Sequence, residues 1–230
     1  MEVKELKQWA KEKVAGSKKW KVLGAVVLVS IISGLPSSIS ADSEGVGVTF
    51  SFALTIISEI LGFILSVGLV NFMLTFINGK EPEFDVLFSR FKDWKRLITT
   101  WFHQYIRVFL WTLCCLVPGI IKAFAYSLVP YILEEDNEMD PKDVLKLSEE
   151  MMMGHKMDLF MLNLSFIGWH FLAILTCGIL EIWVIPYQEV TVVKFLNDIK
   201  ENYNKNKKTA EVKKEEAPAE EISLKIKDIS

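Results

Sequence analysis

The sequence predicts an all-α fold, a polytopic helical membrane protein with six spans, and three observations carry that expectation. Hydrophobic residues make up 51% of the 230, and they come in blocks rather than interleaved with polar residues at helix or strand period. Several blocks reach the roughly 20 residues that a helix needs to cross a bilayer. Two blocks are far longer than one crossing and carry glycine or proline near the middle, the pattern of a helical hairpin.

The first two spans are expected over about 20–39 and 48–77. Residues 1–21 hold seven lysines against three glutamates, whereas the 41–47 loop has Asp42 and Glu44 and no basic residue. The 78–97 segment returns to Lys80, Arg90, Lys92, Lys95 and Arg96. By the positive-inside rule, the N-terminus and the second loop face the cytoplasm. The basic start, short apolar run and small residues of "SSISADS" loosely fit a cleaved signal peptide. The basic segment is long and itself looks amphipathic, and the remaining topology is the same under either reading. Within the second span, Ser58, Gly62 and Ser66 form a stripe of small residues that lets another helix of the chain approach closely.

Two stretches read as helices lying in the cytoplasmic interface. In "FDVLFSRFKDW", Phe84, Leu87, Phe88, Phe91 and Trp94 share one helical face, while Arg90, Lys92 and Lys95 lie elsewhere on the circumference, near anionic headgroups. Val3, Leu6, Trp9, Ala10 and Val14 give the cytoplasmic N-terminal segment, 1–19, a weaker amphipathic pattern.

The apolar block over 98–133 would make a straight helix about 54 Å long at 1.5 Å per residue, against about 30 Å of hydrocarbon. Pro118-Gly119 is therefore expected to act as an elbow, giving spans over about 98–117 and 119–133. The block over 158–196 has a glycine in its middle too, and a break near Gly178 gives spans over about 158–177 and 179–196. "CLVPGIIKAFAYSLVPY" and "LTCGILEIWVIPY" share a Gly-Ile start, a charge three residues after the glycine and a later Pro-Tyr, a weak internal repeat. Between the hairpins, Asp140 suits an N-cap, Pro141 the first helical position and Gly154 a C-terminal stop. A helix over 141–153 follows, with Val144, Leu145, Ser148, Met151 and Met152 on its less polar side. Beyond the 20–197 membrane domain, residues 198–230 read as a disordered, charge-balanced cytoplasmic tail.

"VPGIIKAFAYSLVPYILEEDNEMDPKDVLKLSEEMMMGHKMDLFMLNLSFIGW", followed by "WVIPY", resembles a family of bacterial membrane proteins common in low-GC Gram-positive bacteria, domain of unknown function 975. A looser resemblance extends to the membrane domain of some glycerophosphodiester phosphodiesterases. The resemblance implies a helical multi-span fold and a cytoplasmic middle helix, and brings no activity or site residues with it.

Ionisable residues inside a bilayer are candidate functional groups. Glu59 lies within the second span, toward its outer third, Arg107 near the middle of the third, and Lys122 and Glu181 three residues past their elbows, near the outer face. Pairing of Glu59 with Arg107 and of Lys122 with Glu181 would remove most of their burial cost. Cys114, Cys115 and Cys177 read as packing residues, with Cys115 and Cys177 both placed toward the outer face. His103, His155 and His170 lack metal-ligand spacing, and no nucleophile–base pair or phosphate-binding glycine loop is present. No catalytic, cofactor or metal residues are therefore assigned, and an enzyme is not expected. The expected partners are the lipid bilayer, with anionic lipids at the basic helices, and a cytoplasmic protein, but not nucleic acid. The leading expectation for function is a non-enzymatic scaffold or accessory protein in envelope maintenance, multi-pass in the cell membrane with both termini cytoplasmic. The alternatives are a small transporter or channel-like protein using an intramembrane polar site, and protection against membrane-active peptides.

Overall fold

The structure, a computed structural model, describes residues 3–14, 19–41, 48–176 and 180–227, with side chains over 4–14, 20–36, 50–176 and 180–210. Every element among these residues is helical. In chain order they are α1 (Val3–Val14), α2 (Lys19–Ala41), α3 (Val48–Ile77), a 3₁₀ helix (Phe84–Asp93), α4 (Trp94–Cys114), α5 (Leu116–Ala125), α6 (Val129–Glu135), α7 (Pro141–Met151), α8 (Lys156–Leu175) and α9 (Glu181–Lys227). Three stretches are long and apolar enough to cross a membrane: Phe50–Ile77, Leu116–Glu135 and Lys156–Leu175. Trp20–Pro36 is a shorter apolar helix. α4 is long enough but carries Arg96, His103 and Arg107 along its length.

α3 shows how the molecule is layered. Its 30 residues would extend about 45 Å, more than one hydrocarbon thickness. Phe52 and Ile57 near its start are exposed, whereas Leu65, Val67, Phe72 and Met73 are wholly buried. The second half of α3 is thus the centre of a packed core built with α1, the 3₁₀ helix, α6, α7 and the start of α9. The first half stands among helices whose outer faces are apolar and exposed, including Phe109 and Leu113 of α4, Leu116 and Val117 of α5, and Phe171 and Ile174 of α8. So much contiguous apolar surface suits contact with lipid.

The chain does reverse within 98–133, but not at Pro118-Gly119. The break falls at Cys115, which is extended (φ −160°, ψ 144°) between α4 and α5. Thr112 lies against Gly119, and Lys122 lies 5.6 Å from the Trp111 ring. Both pairs join residues on opposite sides of the break, as an antiparallel hairpin requires. Pro118 sits in the first turn of α5, where its missing N–H is one of the donors left free anyway. The returning arm is itself interrupted by a turn over 126–128 before α6. α8 and α9 also pack together, with Phe166 edge-on to Tyr187 at 5.2 Å between ring centroids. The expected break near Gly178, and Cys177, lie outside the described residues.

α7 follows its sequence signals closely. Asp140 Oδ1 accepts from the Lys142 N–H at 2.9 Å, Pro141 opens the helix, and Gly154 beyond its end has φ +85°. Val144, Leu145, Ser148, Met151 and Met152 are all buried. Ahead of the cap, the Glu138 and Met139 N–H groups hold the Asp136 carboxyl below its ordinary range.

The interfacial helices differ from expectation. α1 is docked on α9 rather than free to lie on lipid. Leu6, Ala10 and Val14 are buried there, and Lys7 Nζ donates to the Ser165 carbonyl at 3.1 Å. In the 3₁₀ helix, Leu87 turns inward with its backbone against Gly68, while Phe84, Phe88 and Phe91 remain exposed. α9 is helical through Lys227, into the segment expected to be disordered from 198. Its Lys, Glu and Ala content favours helix, and Lys194–Asp198 and Asn197–Glu201 are pairs at the helical i,i+4 spacing.

Candidate functional site

A cavity of about 720 Å³ opens between α2, α3, α4 and α5. Its position follows from the small-residue stripe. Ser58 Oγ donates to the Ser33 carbonyl, and Gly62 faces Ser33 across the same contact, so α2 and α3 touch there. The α4–α5 hairpin does not fill the space beside that contact. Trp101, Gln104 and Tyr105 of α4 and Ala123 of α5 form the opposite wall. Trp101 and Tyr105 stack with centroids 5.3 Å apart.

For a space among apolar helices, the lining is rich in hydroxyl groups. Ser30, Ser33, Thr55, Ser58 and Ser66 face it, together with Glu59. Glu59 is 11 residues from the start of α3, about 16 Å along the helix. It does not meet Arg107. Among the described residues, no lysine, arginine or histidine lies within ion-pair distance of Glu59. The linking segment 37–49 contains none of these residue types. Gln104 Oε1 is buried and accepts no hydrogen bond among the described residues.

The other three charged candidates have different partners from those expected. Lys122 pairs with Glu149 of α7 at 3.0 Å. Arg107 lies beside Tyr126 and Glu149, and the Tyr126 hydroxyl donates to the same carboxylate. Burial pushes the Glu149 carboxyl up, but the Tyr126 hydroxyl, Lys122 and Arg107 together outweigh it and hold the group below its ordinary range. Ser148 Oγ adds a bond to the Ala125 carbonyl at 2.8 Å, so α7 is anchored on the hairpin by two adjacent side chains. Glu181 takes His170 of α8 at 3.0 Å, and His170 Nε2 contacts Gln188 at 2.6 Å. Glu181 therefore closes the α8–α9 pair instead of reaching Lys122.

Sequence reasoning missed Gln104, Glu149 and His170 because it searched for charges inside spans and paired them with one another. Glu149 lies in α7, outside any apolar block. Gln104 carries no charge. A polar amide in the middle of a 21-residue helix was the available signal.

The arginine cluster at the other end also matters. Arg90 Nε meets Glu134 Oε2 at 2.6 Å, its Nη2 donates to the Glu134 carbonyl at 2.7 Å, and its Nη1 bonds Asn137. Asn71 of α3 bonds the second Glu134 oxygen. Arg96 donates to the Asp136 and Met139 carbonyls at 2.6 and 3.0 Å. These arginines cap the end of α6, where free carbonyls and the helix dipole favour cations. Arg90 is thus committed inside the protein rather than to a lipid headgroup.

No curated protein and no solved structure matches the chain. Residues 104–203, which contain the Pro-Gly-Ile-Ile-Lys, Gly-His-Lys and Ser-Phe-Ile-Gly-Trp segments, match the family model described as Protein of unknown function (DUF975).

Proposed function

We propose that the chain is a six-crossing integral membrane protein whose polar cavity between α2, α3, α4 and α5 receives a small polar molecule. The observation that carries this reading is the Glu59 carboxylate, without an ion-pair partner among the described residues, on a cavity of about 720 Å³ between the apolar helices. That volume falls in the range of small-molecule sites, roughly 300–1,000 Å³. An unneutralised carboxylate within a membrane span is costly, and such residues are found along ligand and ion paths. The reading develops the intramembrane polar site among the sequence-based alternatives. The scaffold and peptide-protection readings have no comparable feature in their favour.

Six crossings are supported by the ion pairs gathered at one end of the molecule. Lys21 at the start of α2 meets Glu81 at 3.1 Å, and Arg90 meets Glu134. Lys200 of α9 meets Glu135 at 3.3 Å, and Tyr203 bonds Glu150 at 3.2 Å. With the basic segments cytoplasmic, this end faces the cytoplasm. A single cysteine at Asp136, in a protein lacking the three native cysteines, should resist an impermeant maleimide in intact cells and react after permeabilisation. Labelling in intact cells would contradict six crossings.

The cavity itself can be filled. A Cβ added at Gly34, which lines it, would meet no atom within 4 Å. Gly34→Leu should therefore fold normally and abolish the melting-temperature shifts that small polar compounds cause in the parent protein in nanodiscs. Unchanged shifts would move the binding site elsewhere.

A further inference from the structure

The proposed site has a pronounced hydrogen-bonding bias, and that bias names a ligand class. Each serine and threonine hydroxyl on its wall has already spent its proton on a backbone carbonyl. Ser30 donates to Val26 at 2.8 Å, Ser33 to Val29 at 2.7 Å, Thr55 to Ser51 at 3.0 Å and Ser66 to Phe63 at 2.7 Å, while Ser58 donates to Ser33. A hydroxyl that donates its single proton to the helix retains only acceptor lone pairs. Five hydroxyls thus present acceptors, as does the Glu59 carboxylate. Against these, the wall offers the N–H of Trp101, the O–H of Tyr105 and the amide N–H₂ of Gln104 as donors.

An acceptor-rich wall with one carboxylate is complementary to a ligand that donates hydrogen bonds and carries positive charge. The stacked Trp101 and Tyr105 rings reinforce this, because aromatic faces attract cations. The lysine and arginine next to the wall in sequence, Lys122 beside Ala123 and Arg107 beside Val108, both face Glu149, which leaves Glu59 the charged side chain on the cavity wall. The volume is that of an organic molecule rather than a bare ion.

We infer that the cavity binds an organic primary ammonium, its N–H₃⁺ group set against Glu59 and the serine acceptors and its carbon skeleton against Trp101 and Tyr105. This rests on the reading of the cavity as a ligand site, and the test separates the two. Full-length protein in zwitterionic phosphatidylcholine nanodiscs would be titrated calorimetrically with three probes of similar shape: phenethylammonium, the neutral 2-phenylethanol and the anionic 3-phenylpropionate. Phenethylammonium is expected to bind at least tenfold more tightly than either of the others. Glu59→Gln should remove that preference, and Thr55→Val, a second variant in case the first folds poorly, should weaken it several-fold. Equal binding of the three probes, blocked by Gly34→Leu, would overturn the ammonium assignment while leaving the ligand site in place. Binding of none of them, with or without Gly34→Leu, would overturn both. Displacement of phenethylammonium by millimolar sodium or potassium at constant ionic strength would assign the carboxylate to an inorganic cation and also overturn the inference.

Discussion

Replacing Arg90 with alanine is expected to destabilise the folded protein by about 3 kcal/mol, the lower end of what breaking a buried ion pair costs. The Arg90 and Glu134 side chains are only 13% and 12% exposed, so the carboxylate left behind would have little access to water. The loss extends beyond the pair. Arg90 also satisfies the Glu134 carbonyl at the end of α6 and bonds Asn137. Its removal leaves a helix terminus short of a donor in the packed core, where an unmet hydrogen bond costs about 1–3 kcal/mol. Heat denaturation in detergent micelles, followed by near-ultraviolet circular dichroism, reads the effect. Arg90→Ala should melt well below the parent, and Arg90→Lys should recover only part of the difference, because a lysine cannot reproduce the fork geometry. The double replacement Arg90→Met with Glu134→Leu should lose less than Arg90→Ala, since no charge is then stranded. An Arg90→Ala protein melting with the parent would show that water reaches Glu134 freely and that the α6 end is not a stability element.

This cluster also marks where sequence reasoning stops. Arg90 in a Phe-rich stretch has the pattern of a headgroup-binding residue, and nothing in "FDVLFSRFKDW" says that Glu134, 44 residues later, will claim it. Local signals were legible. The Asp140 cap, the Pro141 start, the buried face of α7 and the apolar blocks all depend on residues within a few positions of one another. The hairpin in 98–133 was legible too, because helix length against bilayer thickness is a one-dimensional constraint. Partner choice was not. Lys122 and Glu181 sit at equivalent places in two similar segments, which suggested that they meet, whereas α7 brings Glu149 to one and α8 brings His170 to the other. The cavity was half legible: the Ser58-Gly62-Ser66 stripe announced a close helix contact and Glu59 lay beside it. That the space alongside stays open depends on how the hairpin leans, and no local pattern encodes that.

Gly119→Val is expected to break the α4–α5 hairpin, at a cost of about 3 kcal/mol, the upper end for overpacking. A Cβ at Gly119 would stand 2.8 Å from Thr112 Cα, so backbone as well as side chain is in the way. A rotamer change in Thr112 relieves only part of the clash, and Thr112→Ala should therefore rescue Gly119→Val poorly. The two helices would have to separate near the elbow, where Cys115 leaves no slack between α4 and α5. Cysteines placed at Val108 and Ala123, which line the same cavity from the two arms, report the separation on a background lacking the three native cysteines. A short bis-maleimide should join them in the parent and fail in Gly119→Val, with Gly119→Ala in between. Because Lys122, Tyr126 and Ala125 on the returning arm hold α7, the same variant should also expose α7 to protease. Exposure of α7 with the cross-link intact would place the damage in the α7 contact rather than the elbow. Parent-like cross-linking and protease resistance together would mean that α4 and α5 are not in contact at Thr112, and the hairpin geometry would have to be abandoned.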